Sequence, residues 1–181
     1  MRTDARVRYT RMALREALLG CMQRKSIRAI TVTEVCEAAG LNRATFYTHY
    51  RDCLDLLEQI ENEMLEDFQA SLRRTDAMDA GALTASILDM MEANRDLCDL
   101  LIHNHADDAL IRKMVALAHD LCIDRWKETL RRAASEEVEL LFSCLTAGLL
   151  HVVVNEFGKH DREKITRFAS RTVKSCIAPY L

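Results

Sequence analysis

The segment from Thr31 to Tyr50 constrains this chain more than any other. Thr31 and Glu34 stand at the spacing of a capping box, in which the threonine hydroxyl accepts a first-turn amide and the glutamate carboxylate reaches back to the threonine amide. A helix therefore starts here. Val32, Val35, Cys36 and Ala39 form one apolar stripe at helical spacing, and Gly40 falls where the backbone can turn with positive φ at least cost. Leu41 is placed to close the turn against a core, and Asn42 is a favourable N-cap. Arg43 to Tyr50 is then expected as a second helix of about two turns. Phe46 and Tyr50, four residues apart, anchor its inner face. That leaves Arg43, Thr45, Tyr47, Thr48 and His49 as donors and stacking groups for phosphates and base edges. Two short helices around a tight glycine turn make a helix-turn-helix, the device that reads DNA in the major groove.

Charge is distributed to match. Residues 1–51 hold ten Lys/Arg (positions 2, 6, 8, 11, 15, 24, 25, 28, 43 and 51) against four acids (4, 16, 34 and 37), a balance of +6. The remainder holds fifteen basic and twenty-four acidic residues, or −9, so the overall −3 conceals a basic N-terminal module joined to an acidic body. Only one end is suited to meet phosphate. Upstream, Leu14, Ala17, Leu18, Cys21 and Met22 repeat with helical period, giving a first helix with one apolar face. Arg11 and Arg15 lie on its other face, and Arg2, Arg6 and Arg8 fall in a leading arm.

The run from Thr31 to Tyr50 resembles the signature of the tetracycline-repressor (TetR) family of transcriptional regulators. The resemblance covers roughly residues 8–57 and is specific in its Ala38-Ala39-Gly40 turn, its Thr45-Phe46-Tyr47 run and the closing His49-Tyr50 pair. It implies DNA contacts from Thr31, Thr33, Arg43, Ala44, Thr45, Tyr47, Thr48 and His49, with Tyr47 and His49 on phosphates. Two departures stand out. Ser26-Ile27 replaces the family's usual Gly-aromatic pair, and Cys53 replaces its usual lysine after the Asp52 that caps the next helix. The second removes one phosphate contact, leaving open whether Arg51 substitutes for it.

A chain of 181 residues, 49% hydrophobic and 29% charged, is long enough to bury a sizeable core. Five glycines and a single proline, at position 179, leave few strand or turn signals, while apolar residues recur with helical period. The expected class is all-α, a three-helix head followed by a helical body. No secretory leader pattern is seen, and the longest apolar run, Leu140 to Val154, is interrupted by Ser143, Thr146 and His151 and is shorter than a membrane span of about 20 residues. A cytoplasmic protein with no membrane partner is expected. Neither a nucleophile elbow nor a phosphate loop nor a His-Glu-x-x-His run occurs, so an enzyme is not expected.

Seven cysteines, at 21, 36, 53, 98, 122, 144 and 176, include no Cys-x-x-Cys pair, which favours packed or free thiols. His103, His105, His119 and Cys122 could be imagined as a metal or redox sensor, with His119 and Cys122 one turn apart. Spacing alone favours a plain reading instead, surface histidines and a small buried hydrophobe, and neither metal nor cofactor is expected.

A long helix is expected from Asp52 to about Arg74, with Leu56, Leu57, Ile60, Met64, Leu65 and Phe68 inward, then a loop from Thr75 to Gly81. Helices are expected over Leu83–Asn94, Arg95–His105 and Asp107–Leu130. In the TetR family this section lines an effector pocket, which the resemblance places at Ile87, Met90, Met91, Leu97, Leu101, Met114, Leu117, Leu121 and Trp126. Ser135 is expected to cap a helix whose first turns carry Glu136, Glu137 and Glu139, favourable near its positive end. From Leu140 to Val154 that helix has almost no polar face and needs cover on both sides. Gly148 and Ala147 would permit close approach of another helix. Gly158 ends it, Asp161 caps the next, and Ile165, Phe168, Ala169, Val173, Cys176 and Ile177 supply a stripe there too. The pair resembles the C-terminal helices that build the TetR family's four-helix dimer bundle, with Leu141, Leu145, Gly148, Val152, Ile165, Phe168 and Val173 at the interface. The run Asn94-Arg95-Asp96-Leu97 and the tail resemble a TetR subgroup found beside dihydroxyacetone-kinase-type regulators.

The expectation is a DNA-binding domain over residues 1–51 and an effector and dimerisation domain over 52–181. The two-fold homodimer would bind a partly palindromic double-stranded operator, usually repressing, and an unknown small-molecule effector would release it. A DNA-bound architectural or division-control protein of the same fold, and a metal- or redox-sensing regulator, are the alternatives.

Overall fold

The computed structural model describes residues 2–103 and 109–181, and every regular element among them is helical. In chain order they are α1 (Arg2–Met22), α2 (Val32–Ala39), α3 (Arg43–Tyr47), α4 (Cys53–Arg74), α5 (Ala80–Ala93), α6 (Arg95–His103), α7 (Ala109–Thr129), α8 (Ser135–Glu156) and α9 (Arg162–Ile177), with single 3-10 turns at Ile27–Ala29 and Ala178–Tyr180. The chain divides into two compact units, Met1–Glu63 and Met64–Leu181. The division lies inside α4, further along than the 51/52 boundary that charge suggested. One cause is visible in side chains: Arg11 of α1 donates to Gln59 (3.3 Å) and Glu63 (3.2 Å), so the first turns of α4 are held with the first unit. Arg11 and Arg15 both reach Glu63, so they serve this clasp.

In the first unit α1 packs on α2 and α2 on α3 around Leu14, Leu18, Val35, Phe46 and Leu56, all nearly inaccessible. Each such side chain contributes about 1.5–3 kcal/mol on leaving water. The arm expected to precede α1 is instead its opening turns, with Arg6 and Arg8 exposed along it.

In the second unit α5 lies along α9 and α7 along α8, with α8 also touching α9, α5 and α6. Arg162, at the start of α9, donates to the Asp89 carboxylate and to the Ala85 carbonyl (3.1 Å) of α5. Three local expectations need correcting. Ser135 is the first helical residue of α8, whose N-cap is Ala134 without a side-chain bond. Asp161 precedes α9 as expected but makes no capping bond. The membrane criterion also differs: α8 as a whole, 22 residues with a most hydropathic stretch averaging 1.7, is long and apolar enough by length and composition alone to cross a membrane. Its faces differ, however. Val138, Phe142, Leu150 and Val153 are buried within the unit, whereas Leu140 is 72% exposed.

Candidate nucleic-acid interface and ligand cavity

The turn between α2 and α3 is built almost wholly by local polar bonds. Thr31 caps α2 in a complete capping box: its hydroxyl accepts from the Glu34 amide (3.3 Å), and the Glu34 carboxylate accepts from the Thr31 amide (2.9 Å) and hydroxyl (2.8 Å). Lys25 also pairs with Glu34. The Lys25 ammonium and the Thr31 donors together hold this carboxyl down at about 2. At the other end Gly40 adopts φ 65°, a left-handed conformation that a residue with Cβ enters at a cost. Asn42 then caps α3, accepting from the Thr45 amide (2.7 Å) and hydroxyl (3.0 Å).

α3 is shorter than the two turns expected. It ends at Tyr47, because the chain tightens: Thr48 donates its hydroxyl to the Thr45 carbonyl (2.6 Å), and the His49 and Tyr50 amides both converge on the Phe46 carbonyl. Phe46 and Tyr50 are buried as anticipated, 5.7 Å between ring centroids, and Arg11 donates to the Tyr50 hydroxyl (3.3 Å). On the opposite side Arg43, Ala44, Tyr47 and Thr48 are exposed, and the Arg43 guanidinium lies 6.0 Å from the Tyr47 ring centroid. Thr33 is exposed in the first turn of α2, while Thr45 and His49 are half-buried. Thr31, Thr45 and Thr48 therefore spend their hydroxyls on the turn itself. Cys53 is buried, and burial pushes its thiol up to about 11, so no side chain projects there toward a phosphate. Arg51 is well exposed and paired with Asp55 at 3.2 Å.

The second unit holds a cavity of about 70 Å³, partly open, between α4, α5, α7, α8 and α9. Of the residues expected to line it, Ile87 and Trp126 do. Met90, Met91, Leu97 and Met114 are core, Leu117 and Leu121 are half-buried elsewhere on α7, and the Leu101 side chain lies outside the described residues. The walls come instead from residues such as Phe68, Leu72, Phe142, Leu149 and Val153, which only the packing of five helices brings together. Phe142 meets Trp126 edge-on at 5.1 Å, and the Trp126 indole donates to the Ala77 carbonyl (3.0 Å).

His119 and Cys122 do not share a ligand face. Cys122 is buried at the cavity, where desolvation raises its thiol, and His119 is bound by Glu139 at 2.7 Å. Glu139 also accepts from Lys127, which with His119 holds its carboxyl below the usual range. His105 and the His103 side chain lie outside the described residues, and no cluster of three or more metal-ligating side chains occurs among those described.

On α8 and α9, Leu141, Leu145 and Val152 are half-exposed, Gly148 is open and Phe168 is 43% exposed. Ile165 and Val173 are buried in the chain's own interior and leave the expected interface set, because α9 turns them inward as it packs along α5. Leu140, exposed and apolar, belongs with this surface and was readable from the same periodicity.

A basic helix-turn-helix unit followed by a helical unit with an internal cavity is the layout of a DNA-binding transcriptional regulator. The model of the family described as "Transcriptional regulator C-terminal region" matches residues 81–175, more than half of the chain, and the chain belongs to the TetR family of transcriptional regulators. Two solved structures share the fold. The dihydroxyacetone kinase operon activator DhaS superimposes with a TM-score of 0.69 at 14% identity, covering 94% of this chain and 97% of that one. The fatty acid degradation regulator FadR from Bacillus halodurans gives 0.65 at 16% identity, covering 91% and 94%. No curated protein matches the sequence.

Proposed function

We propose that this protein is a ligand-released operator-binding regulator, without enzymatic activity, acting in the cytoplasm as a homodimer. The observation that carries the reading is the α2–α3 pair. Its turn is fixed by two capping networks and a left-handed glycine, and its outer side presents Arg43, Ala44 and Tyr47 from residues 1–51, a segment of net positive charge. Arg43 is suited to a guanine edge or a phosphate and Tyr47 to a phosphate; Thr33 and His49 flank them. Residues already committed to the turn, Thr31, Thr45 and Thr48, position the backbone and offer any second bond of their hydroxyls.

The exposed apolar side of α8, with Leu140, Leu141, Leu145, Gly148 and Val152, and Phe168 of α9, meets the same surface of a second copy. A soluble partner suits this surface better than lipid, because the opposite side of α8 is already committed to the chain's own core. Two heads then address successive major grooves of a partly palindromic duplex. A small molecule in the second unit's cavity shifts the population away from the DNA-competent arrangement by its differential affinity. Repression is the proposed output; DhaS, of the same fold, is named an operon activator, and the operator's place relative to the promoter decides between them.

Two variants test this. Arg43→Ala should weaken binding to a selected inverted-repeat duplex by about ten- to a hundredfold, the loss of a bidentate base contact of roughly 1–3 kcal/mol, with helix content and oligomeric state unchanged. Unaltered gel-shift affinity would sink the DNA assignment. Leu145→Glu should convert a dimer to monomers in sedimentation velocity, and an intact dimer would remove the proposed interface.

A further inference from the structure

The ligand of the second unit can be narrowed by what its cavity lacks. None of the residues lining it is Lys, Arg, His, Asp or Glu, and its walls are aliphatic and aromatic apart from Thr84 of α5, Thr146 of α8 and the Cys122 thiol of α7. Thr84 is only 3% exposed and lines the cavity from α5. The Trp126 indole is already used on Ala77. A hydroxyl on an otherwise apolar cavity wall is placed to donate to, or accept from, a ligand atom. A carboxylate or phosphate would enter without a countercharge, at a desolvation cost that hydroxyls alone do not offset. The volume, about 70 Å³, is roughly half that of an engineered ~150 Å³ void able to hold benzene, so only a few non-hydrogen atoms lie fully inside.

Resting on the reading of this unit as the effector domain, we propose that the cavity takes a compact uncharged molecule, an apolar body with one neutral oxygen that bonds Thr84, and that it rejects carboxylates and phosphates. The aromatic walls and the partly open mouth accept a ring or a short chain, with the oxygen inward.

Trp126 is the single tryptophan of the chain, and it lines the cavity, so its emission reports occupancy without DNA. Titration of the full-length protein with 1-hexanol should give a saturable emission change, and hexanoate at about pH 8 should bind at least ~30-fold more weakly, because its charge is left unpaired. Thr84→Val should weaken 1-hexanol two- to tenfold, the range of one hydrogen bond, while Thr84→Ser restores it. Ala118→Leu, which fills the cavity, should abolish the response. Hexanoate binding as tightly as the alcohol, no saturable response to 1-hexanol, or a Thr84→Val protein that binds it unchanged would each overturn the proposal. Release of the operator is a separate readout: if 1-hexanol occupies the cavity without loosening DNA, ligand release fails as a function while the ligand class stands.

Discussion

The two units are stabilised by different physics. In the first, short helices are defined by named polar bonds at their ends: the Thr31–Glu34 box, the Asn42 cap and the left-handed Gly40. In the second, long helices are defined by apolar burial, with fewer capping bonds: α8 and α9 begin without one, and Asp79 caps α5. A helix of five residues cannot persist on propensity alone, so α3 exists because its cap and its buried aromatic hold it. Helices of sixteen to twenty-two residues tolerate a missing cap, because tertiary packing of their apolar faces supplies most of their stability. The α2–α3 turn is thus fixed by local bonds at its ends, while the second unit, held by apolar packing, retains an internal space of about 70 Å³.

The largest expected effect tests the packing side of this contrast. Phe46 is wholly buried in the small core of the first unit, in contact with Tyr47 and Tyr50. Phe46→Ala should destabilise that unit by about 3–5 kcal/mol, transfer loss plus cavity. Hydrogen exchange should then rise throughout peptides of residues 2–63 and stay near wild type in α7–α9. Equal loss of protection in both units would mean that they do not respond separately.

The same contrast explains what could be read from the amino acids. The α2–α3 turn was legible nearly residue by residue because capping and glycine conformation are decided within a few neighbours. The truncation of α3 was not, since it depends on Thr48 bonding to the Thr45 carbonyl in place of continuing the helix. Arg11 and Arg15 read as a basic face, yet their partner Glu63 lies some fifty residues away. In the second unit periodicity located the helices but could not choose which apolar residues border a void. Met90, Met91 and Met114 fill core, whereas Phe68, Leu149 and Val153 border the cavity through helix pairings that no local pattern encodes. Ile165 and Val173 were misassigned for a related reason: a stripe shows which residues want burial, without saying whether the chain itself or a partner supplies it.

A smaller effect isolates the capping side. Asn42→Ala removes the acceptor for the Thr45 amide and hydroxyl and should cost about 1 kcal/mol. Because α3 is so short, the loss should concentrate in residues 42–50, visible as faster exchange there and as weaker operator binding with the dimer intact. The expected size would be refuted by a melting temperature and exchange pattern indistinguishable from wild type.

The smallest effect distinguishes the units by the sign of their pH dependence. Glu34 in the first unit is held at about 2, beneath its ordinary 4.5, by Lys25 and Thr31. A depressed carboxyl contributes stability that is fully present above 4.5 and is lost as pH falls through about 2. His119 in the second unit is raised above its ordinary 6.5, first by its bond to Glu139. Its contribution is fully present below 6.5 and disappears as pH rises through the higher folded value. Both side chains are more than one-third exposed, so water and salt screen the effects to less than a lost cap. Protection factors in the first unit, taken relative to the intrinsic exchange rate at each pH, should fall on acidification from about pH 5 to 3, and Glu34→Gln should flatten that slope. Protection factors around α7 and α8, taken the same way, should fall from about pH 6 to 8.5, and His119→Gln should flatten that one. The pairing is specific: a His119→Gln protein that kept the alkaline slope would show that the Glu139 contact contributes nothing, and Lys127 alone would then account for the lowered Glu139 carboxyl.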